Sequence, residues 1–138
     1  MEKLIGKKLN MSQIWQNDKV VPVTLVEFEV VPNLEAGEKI KISGTTKGRG
    51  FQGVVKRHGF HGGPKTHGQK DRLRAPGSIG NTAPQRVVLG RKMAGHMGAT
   101  RHTLKRVKVA EVDKEKKIVF LKGALPGYKG AKIEIYKS

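Results

Sequence analysis

The chain has 138 residues, with 28 Lys or Arg against 11 Asp or Glu, which gives a net charge of +17 at pH 7. This length supports one modest core and excludes a catalytic domain beside a separate regulatory one. The charge predicts a polyanionic partner, and nucleic acid is the first candidate. A membrane surface would favour a basic amphipathic helix, and a cationic toxin would need cysteines for disulfides; the sequence contains neither.

Residues 1–42 carry no net charge and contain short strand patterns. Apolar and acidic side chains alternate over residues 24–30, which predicts a strand with Val26, Phe28 and Val30 on one face. Residues 39–42 alternate Lys and Ile in the same way. This part of the chain is therefore expected to contribute to a β-sheet body.

Residues 43–106 hold fourteen Lys or Arg and one acid, Asp71, so they contribute +13 of the +17. They also hold all five His and thirteen of the eighteen Gly. Apolar residues are sparse here, and Gly and Pro interrupt any regular element. We expect an irregular basic arm, outside the core, that orders against a phosphate backbone.

Residues 107–112 and 118–122 are strand-like and are joined by a polar loop of five residues, which predicts a hairpin. Residues 132–137 alternate again, and no segment has a sustained helical period. The prediction is one all-β domain: a small antiparallel β-barrel or curved sheet from residues 1–42 and 107–138, which holds out residues 43–106. Pro22 and Pro126 are expected only at strand edges or in turns.

Gly48-Arg-Gly50-Phe-Gln-Gly53 matches the dinucleotide-binding pattern G-x-G-x-x-G. That pattern needs a following helix, whereas residues 54–59 read as strand-like and then broken. The glycines are better explained by close approach of main-chain N–H groups, Lys47 and Arg49 to phosphates.

Three histidines, His58, His61 and His67, have a spacing that zinc ligands could use, with Asp71 as the one nearby acid. A metal-dependent hydrolase built on them is the alternative from another functional class. Histidines that stack on bases or donate to phosphates fit the cationic surroundings better. Ser43 and Ser78 lie in no G-x-S-x-G motif and have no carboxylate partner nearby, so we expect no enzyme activity, cofactor or bound metal.

No apolar run is long enough for a signal peptide or a membrane span, because the longest one, residues 20–31, contains Glu27 and Glu29. The absence of cysteine suits a reducing compartment. The sequence thus predicts a cytoplasmic protein without membrane contact.

Folded RNA is favoured over DNA because no recognition-helix motif is present and an irregular arm suits RNA pockets. A nucleic-acid chaperone without a fixed site stays open as a further alternative. No small-molecule substrate is expected. The residues predicted to contact RNA are Lys47, Arg49, Lys56, Arg57, His58, His61, Lys65, His67, Lys70, Arg72, Arg74, Arg86, Arg91, Lys92, His96, Arg101, Lys105 and Arg106.

Several motifs together resemble one family. They lie at residues 43–60, 62–68 (Gly-Gly-Pro-x-x-His-Gly), 75–80 (Ala-Pro-Gly-Ser-Ile-Gly) and 91–98 (Arg-Lys-Met-Ala-Gly-His-Met-Gly). Residues 4–15, 112–115 and 121–127 also resemble the family. In this order they resemble the L-three family of large-subunit ribosomal proteins.

The resemblance implies a translation-protein-type β-barrel and a structural role on large-subunit rRNA. It also implies an arm that reaches toward the peptidyl transferase centre, a part in subunit assembly, and the neighbouring proteins L-fourteen and L-nineteen. The chain is shorter than bacterial members, since residues 30–38 join the first strands almost directly to the arm. The implied arm tip consists of Gly77, Ser78, Ile79, Gly80, Asn81, Thr82, Ala83, Pro84 and Gln85.

Overall fold

A computed structural model describes residues 3–30 and 32–136 of the chain. It divides into two compact units, which we name the sheet unit (residues 1–47 and 99–138) and the basic unit (residues 48–98). The described elements are β1 (Lys3–Gln16), β2 (Lys19–Phe28), β3 (Lys39–Thr45), β4 (Phe51–Gln52), α1 (Val54–His58), β5 (Gly95–His96), β6 (Arg101–Asp113), β7 (Ile118–Lys122) and β8 (Lys132–Tyr136). The predicted all-β class is confirmed.

Six antiparallel strands form a closed sheet in the order β1, β2, β7, β6, β3, β8, and β8 pairs again with β1. Closure gives every one of these strands a partner on both sides, which removes open edges along the paired stretches. The predicted hairpin is confirmed as β6 and β7, with four loop residues, 114–117, instead of five. The sheet also includes residues 43–45 and 101–106, which the sequence had assigned to the arm.

The inward face of the closed sheet carries the apolar side chains expected from the alternating patterns. Val26 and Phe28 in β2 are buried, as are Ile40 and Ile42 in β3. The prediction was wrong for Val30, which is 74% exposed. β2 ends at Phe28, and β7, its partner on one side, begins at Ile118, opposite Glu27, so the chain has left the sheet before it reaches Val30.

The short connection between β2 and β3 supplies part of the core. Leu34 is 5% exposed and belongs to the main hydrophobic cluster. Two hydrogen bonds hold the connection to β6: the Gly37 N–H donates to the Val109 carbonyl, and the Val109 N–H donates to the Glu38 carbonyl, each at 2.8 Å. The connection therefore packs against the core and bonds to β6 without a larger inserted segment. Val31 lies outside the described residues, as does Lys137, the end of the last predicted strand.

The sequence patterns missed β1, the longest strand in the closed sheet. Its register shifts between Lys8 and Met11, where it pairs with β2. The Lys8 side chain is buried, and its ammonium donates to the carbonyls of Leu125 (2.7 Å) and Gly127 (3.0 Å). Burial lowers the pKa of Lys8, and the nearby charge of Lys47 lowers it further.

The two prolines have different outcomes. Pro126 lies in the loop between β7 and β8, as expected. Pro22 lies inside β2, opposite Gln13 of β1. Its carbonyl accepts a hydrogen bond from the N–H of Gly123, just beyond the end of β7. In an antiparallel strand the nitrogen and the carbonyl of one residue point to the same side, so the Pro22 nitrogen also faces the chain beyond β7, where no strand needs its missing N–H.

Candidate nucleic-acid interface

The basic unit concentrates positive charge at the surface. Residues 48–98 contain ten Lys or Arg and one acid, Asp71. Of the eighteen side chains predicted to contact RNA, sixteen are exposed, and only Arg57 and His58 are partly buried. None of the three described ion pairs involves a residue of this unit, all of which is described. No described ion pair therefore neutralises a cation of the basic unit.

A two-stranded ribbon forms the base of the basic unit. Phe51 pairs with His96 and Gln52 pairs with Gly95. The ribbon is extended by the Arg49 N–H, which donates to the Met97 carbonyl at 2.8 Å, and by the Met97 N–H, which donates to Gly50 at 2.9 Å. Main-chain pairing thereby joins the two ends of the basic unit, which has little other regular structure.

Residues 54–58 were predicted as strand-like, and this was wrong. They form the helix α1, which is capped by Gly59 with a left-handed φ of 74°. The Gly59 N–H donates to the Val55 carbonyl at 3.0 Å, and the Phe60 N–H donates to the Val54 carbonyl at 3.5 Å. Lys56, Arg57 and His58 occupy the last turn, where the helix dipole favours positive charge. A five-residue helix is too short to show a 3.6-residue period in the sequence.

This helix changes the reason for rejecting a dinucleotide site, but not the conclusion. A helix does follow Gly48-Arg-Gly50-Phe-Gln-Gly53, contrary to the prediction. It has five residues and is preceded by a strand of two residues, which is not the strand and long helix of the dinucleotide-binding fold. The pattern therefore carries no nucleotide site here.

Arg57 and His58 have partners inside the basic unit. The Arg57 guanidinium donates to the Met93 carbonyl at 2.7 Å, and His58 Nε2 lies 3.0 Å from the same oxygen. Gly95 leaves room for this contact, since a Cβ at that position would lie 2.7 Å from Arg57 Nη1. Both side chains therefore tie α1 to the returning chain, a role that the sequence did not indicate.

The segment that follows α1 folds back on itself through two glycines. The Gly63 N–H donates to the carbonyls of Arg72 (3.2 Å) and Leu73 (3.1 Å). A Cβ on Gly62 would collide with the Leu73 carbonyl oxygen, and Gly62 has a φ of 74°. Only glycine permits both this φ and this approach without strain. The turn brings together Phe60 and Gln69, two side chains that were not predicted as RNA contacts.

The predicted arm tip, residues 77–85, is exposed along its whole length. The Ser78 hydroxyl donates to the Gly80 carbonyl at 2.9 Å, and the Arg91 guanidinium donates to the Ser78 carbonyl at 2.7 Å. The bond between Ala83 and Pro84 is cis. Arg91 thus has a contact that holds the tip segment to residues 86–92.

The remaining predicted cations lie in the sheet unit. Lys47 follows β3, and Arg101, Lys105 and Arg106 are exposed residues of β6. Arg101 is engaged by Glu134 at 2.8 Å and by the Tyr136 hydroxyl at 2.7 Å.

Glu134 also pairs with Lys3 at 2.8 Å. The hydrogen bonds from Lys3 and Tyr136 lower the pKa of Glu134. Arg101 is thus less available to a phosphate than its exposed neighbours.

The alternative zinc site is not assembled. Within residues 3–30 and 32–136, no three His, Asp or Glu side chains come together as a group that could hold a metal ion. His58 contacts the Met93 carbonyl, and the chain turns at His67 with a φ of 61°. In the same described part of the chain, no helix is long and apolar enough to cross a membrane.

Comparison with known proteins agrees with the sequence motifs. The chain is 49% identical over 122 residues to large ribosomal subunit protein uL3 of Dehalococcoides mccartyi, covering 88% of this chain and 60% of that protein. It is 48% identical over 101 residues to the Legionella pneumophila protein of the same name, covering 72% of this chain and 47% of that protein. The chain therefore spans about half to three fifths of these relatives. The family model described as Ribosomal protein L3 matches residues 5–123, and the chain belongs to that family.

Proposed function

We propose that the protein is a structural, non-catalytic constituent of the large ribosomal subunit that binds large-subunit rRNA. One observation carries the proposal: a unit with ten cations and one acid, none of them ion-paired within the described chain, in a member of the ribosomal protein L3 family. A phosphate backbone supplies the missing negative charge. No cofactor or small-molecule substrate is needed for this role.

The finer assignment follows the family. The closed sheet serves as the translation-protein-type β-barrel, and the segment between β3 and β6 serves as the rRNA-binding arm. Its tip, residues 77–85, reaches toward the peptidyl transferase centre. The neighbouring proteins are L-fourteen and L-nineteen, and the protein acts during assembly of the cytoplasmic ribosome. Exposure of the whole tip is the structural support for this assignment.

Salt dependence of binding tests the proposal directly. If about ten cations neutralise phosphates, raising salt from about 50 to 200 mM should lower the affinity for transcribed large-subunit rRNA by roughly 10³- to 10⁵-fold. Arg72→Ala and Arg74→Ala should each weaken binding and reduce the salt slope by about one unit. An affinity that does not change with salt would refute the role.

Two controls make this test specific. Lys114 and Lys129 are exposed cations of the sheet unit outside the predicted set, and Lys114→Ala and Lys129→Ala should leave the slope unchanged. Chemical footprinting on the rRNA should show one defined protected region. A general nucleic-acid chaperone would instead bind duplex DNA equally well and leave no single footprint.

A further inference from the structure

The turn after α1 encloses a groove within the basic unit. The groove has a volume of about 560 Å³ and is lined mainly by residues 59–64 and 75–77, with Gln69 and Arg72 beside them. Clefts of roughly 300–1,000 Å³ are the size that accommodates a drug-sized ligand. The two hydrogen bonds from Gly63 to Arg72 and Leu73 hold its walls together. The groove is therefore a formed feature of this unit.

The chemistry of the lining combines an aromatic ring, an amide and a cation. Phe60 is half-buried, and its position is set by the end of α1, because its N–H points back to the Val54 carbonyl at 3.5 Å. Gln69 Nε2 lies 3.3 Å from the position that a Cβ on Gly63 would occupy. In the described chain neither the Gln69 side-chain amide nor the Arg72 guanidinium has a hydrogen-bond partner. All three groups can thus be used by a ligand.

We propose that this groove receives a single unpaired nucleotide of the bound RNA, with its base against Phe60, its polar edge at Gln69 and its phosphate at Arg72. The proposal rests on the proposed function and adds a site to it. Charge selects the occupant, because a groove in a unit with ten cations and one acid favours an anionic ligand over a neutral or basic peptide. An aromatic face with a nearby amide suits a base that has left its stack.

Glycine at positions 62 and 63 is part of this site. A Cβ on Gly63 would lie 2.7 Å from the Arg72 carbonyl oxygen, so a side chain at either glycine would force the walls apart. The groove width therefore depends on their lack of side chains. The Gly-Gly-Pro motif therefore sets the shape of this groove.

The chain offers a matched pair of phenylalanines for the test. Phe60 lines the groove, whereas Phe51 is 76% exposed on β4 and does not. Phe60→Leu keeps an apolar side chain and removes the aromatic face, and Phe51→Leu makes the same change elsewhere. Each full-length variant is titrated with transcribed large-subunit rRNA, and base reactivity is mapped by chemical probing.

Phe60→Leu should weaken binding roughly five- to hundredfold, leave the salt slope unchanged, and make one nucleotide newly reactive. Phe60→Tyr should keep the wild-type affinity, Gln69→Ala should expose the same nucleotide, and Phe51→Leu should change neither readout. A lower salt slope in Phe60→Leu would indicate that the substitution disturbs the fold of the basic unit. In that case Gln69→Ala decides: one newly reactive nucleotide supports the proposal, and an unchanged reactivity pattern overturns it.

The inference is overturned if Phe60→Leu and Phe51→Leu behave alike, or if affinity falls without a change at one nucleotide. Those results leave the proposed function standing as long as the wild-type chain binds with the expected salt dependence. A wild-type chain that does not bind the rRNA refutes the proposed function instead, and the groove proposal with it.

Discussion

Gly6 lies where β1 passes over the core and pairs with Phe28 of β2. A Cβ at Gly6 would lie 2.6 Å from Phe28 Cε1 and 2.7 Å from Val26 Cγ1. Non-bonded carbons prefer about 3.5–4.0 Å, so the Phe28 ring would have to move by roughly 1 Å. Phe28 is 3% exposed and packs within the main hydrophobic cluster, which leaves little space for that movement.

Gly6→Ala should therefore destabilise the sheet unit by about 1–2 kcal/mol. Overpacking a core costs about 1–3 kcal/mol. Reduced freedom of the unfolded chain offsets about 0.4–1 kcal/mol of that cost. Phe28→Leu alone should also destabilise, because it leaves part of the core unfilled. In the double variant the smaller leucine makes room for the new methyl group, so the two costs should not add.

Urea unfolding followed by circular dichroism measures all three variants as a double-mutant cycle. The double variant should be more stable than the sum of the single effects predicts by about 0.5–2 kcal/mol. Gly53→Ala is the control, because Gly53 has a φ of −72° and no atom within 4 Å of an added Cβ. Its unfolding midpoint should not fall below the wild-type value, because the unfolded-chain effect acts there without a steric cost. Additive costs for Gly6→Ala and Phe28→Leu, or a stabilising Gly6→Ala, would refute the steric argument.

Three further predictions follow from the contacts. Lys8→Met should destabilise the protein by about 1–3 kcal/mol in urea unfolding, because the carbonyls of Leu125 and Gly127 lose their donor; a more stable variant would mean that burying the ammonium costs more than its hydrogen bonds contribute. The lowered pKa of Glu134 stabilises the folded protein above the usual pKa of a glutamate, and this stabilisation is lost as pH falls through the pKa of the folded state. Glu134→Gln should therefore lower the melting temperature at pH 7 but much less at pH 3. An equal loss at both pH values would contradict this. Val54 is the one buried apolar residue in residues 48–98. In hydrogen-exchange measurements the amides of this unit should therefore exchange quickly in the free protein and become protected on rRNA binding. Slow exchange without RNA would show that the unit is stable by itself.

The sheet could be predicted where the side-chain pattern has a period of two. Val26 and Phe28, Ile40 and Ile42 alternate with charged residues because one face of each strand packs into the core. β1 escaped detection because its inward positions are Leu4, Gly6 and Lys8. Phe28 fills the space above Gly6, and the Lys8 ammonium binds loop carbonyls, so the strand does not need an apolar residue at either place.

The location of the cationic surface could also be predicted, because it follows from composition. Its internal geometry could not, since it depends on contacts between distant residues. Arg57 binds the Met93 carbonyl 36 residues away, and Gly63 binds Arg72 and Leu73 across a turn without a repeating pattern. Phe60 and Gln69 were overlooked for the same reason, as only the turn brings them to one groove.

The charge of the basic unit links its folding to its binding. The ten cations of the unit repel one another when it is compact, and no described ion pair with its single acid relieves that repulsion. Added salt screens this repulsion and favours the compact free unit, yet the same salt weakens attraction to phosphates. Salt should therefore act in opposite directions on the two equilibria. RNA phosphates favour both folding and binding, because they neutralise the cations while the main-chain ribbon, α1 and the paired glycines keep the compact arrangement.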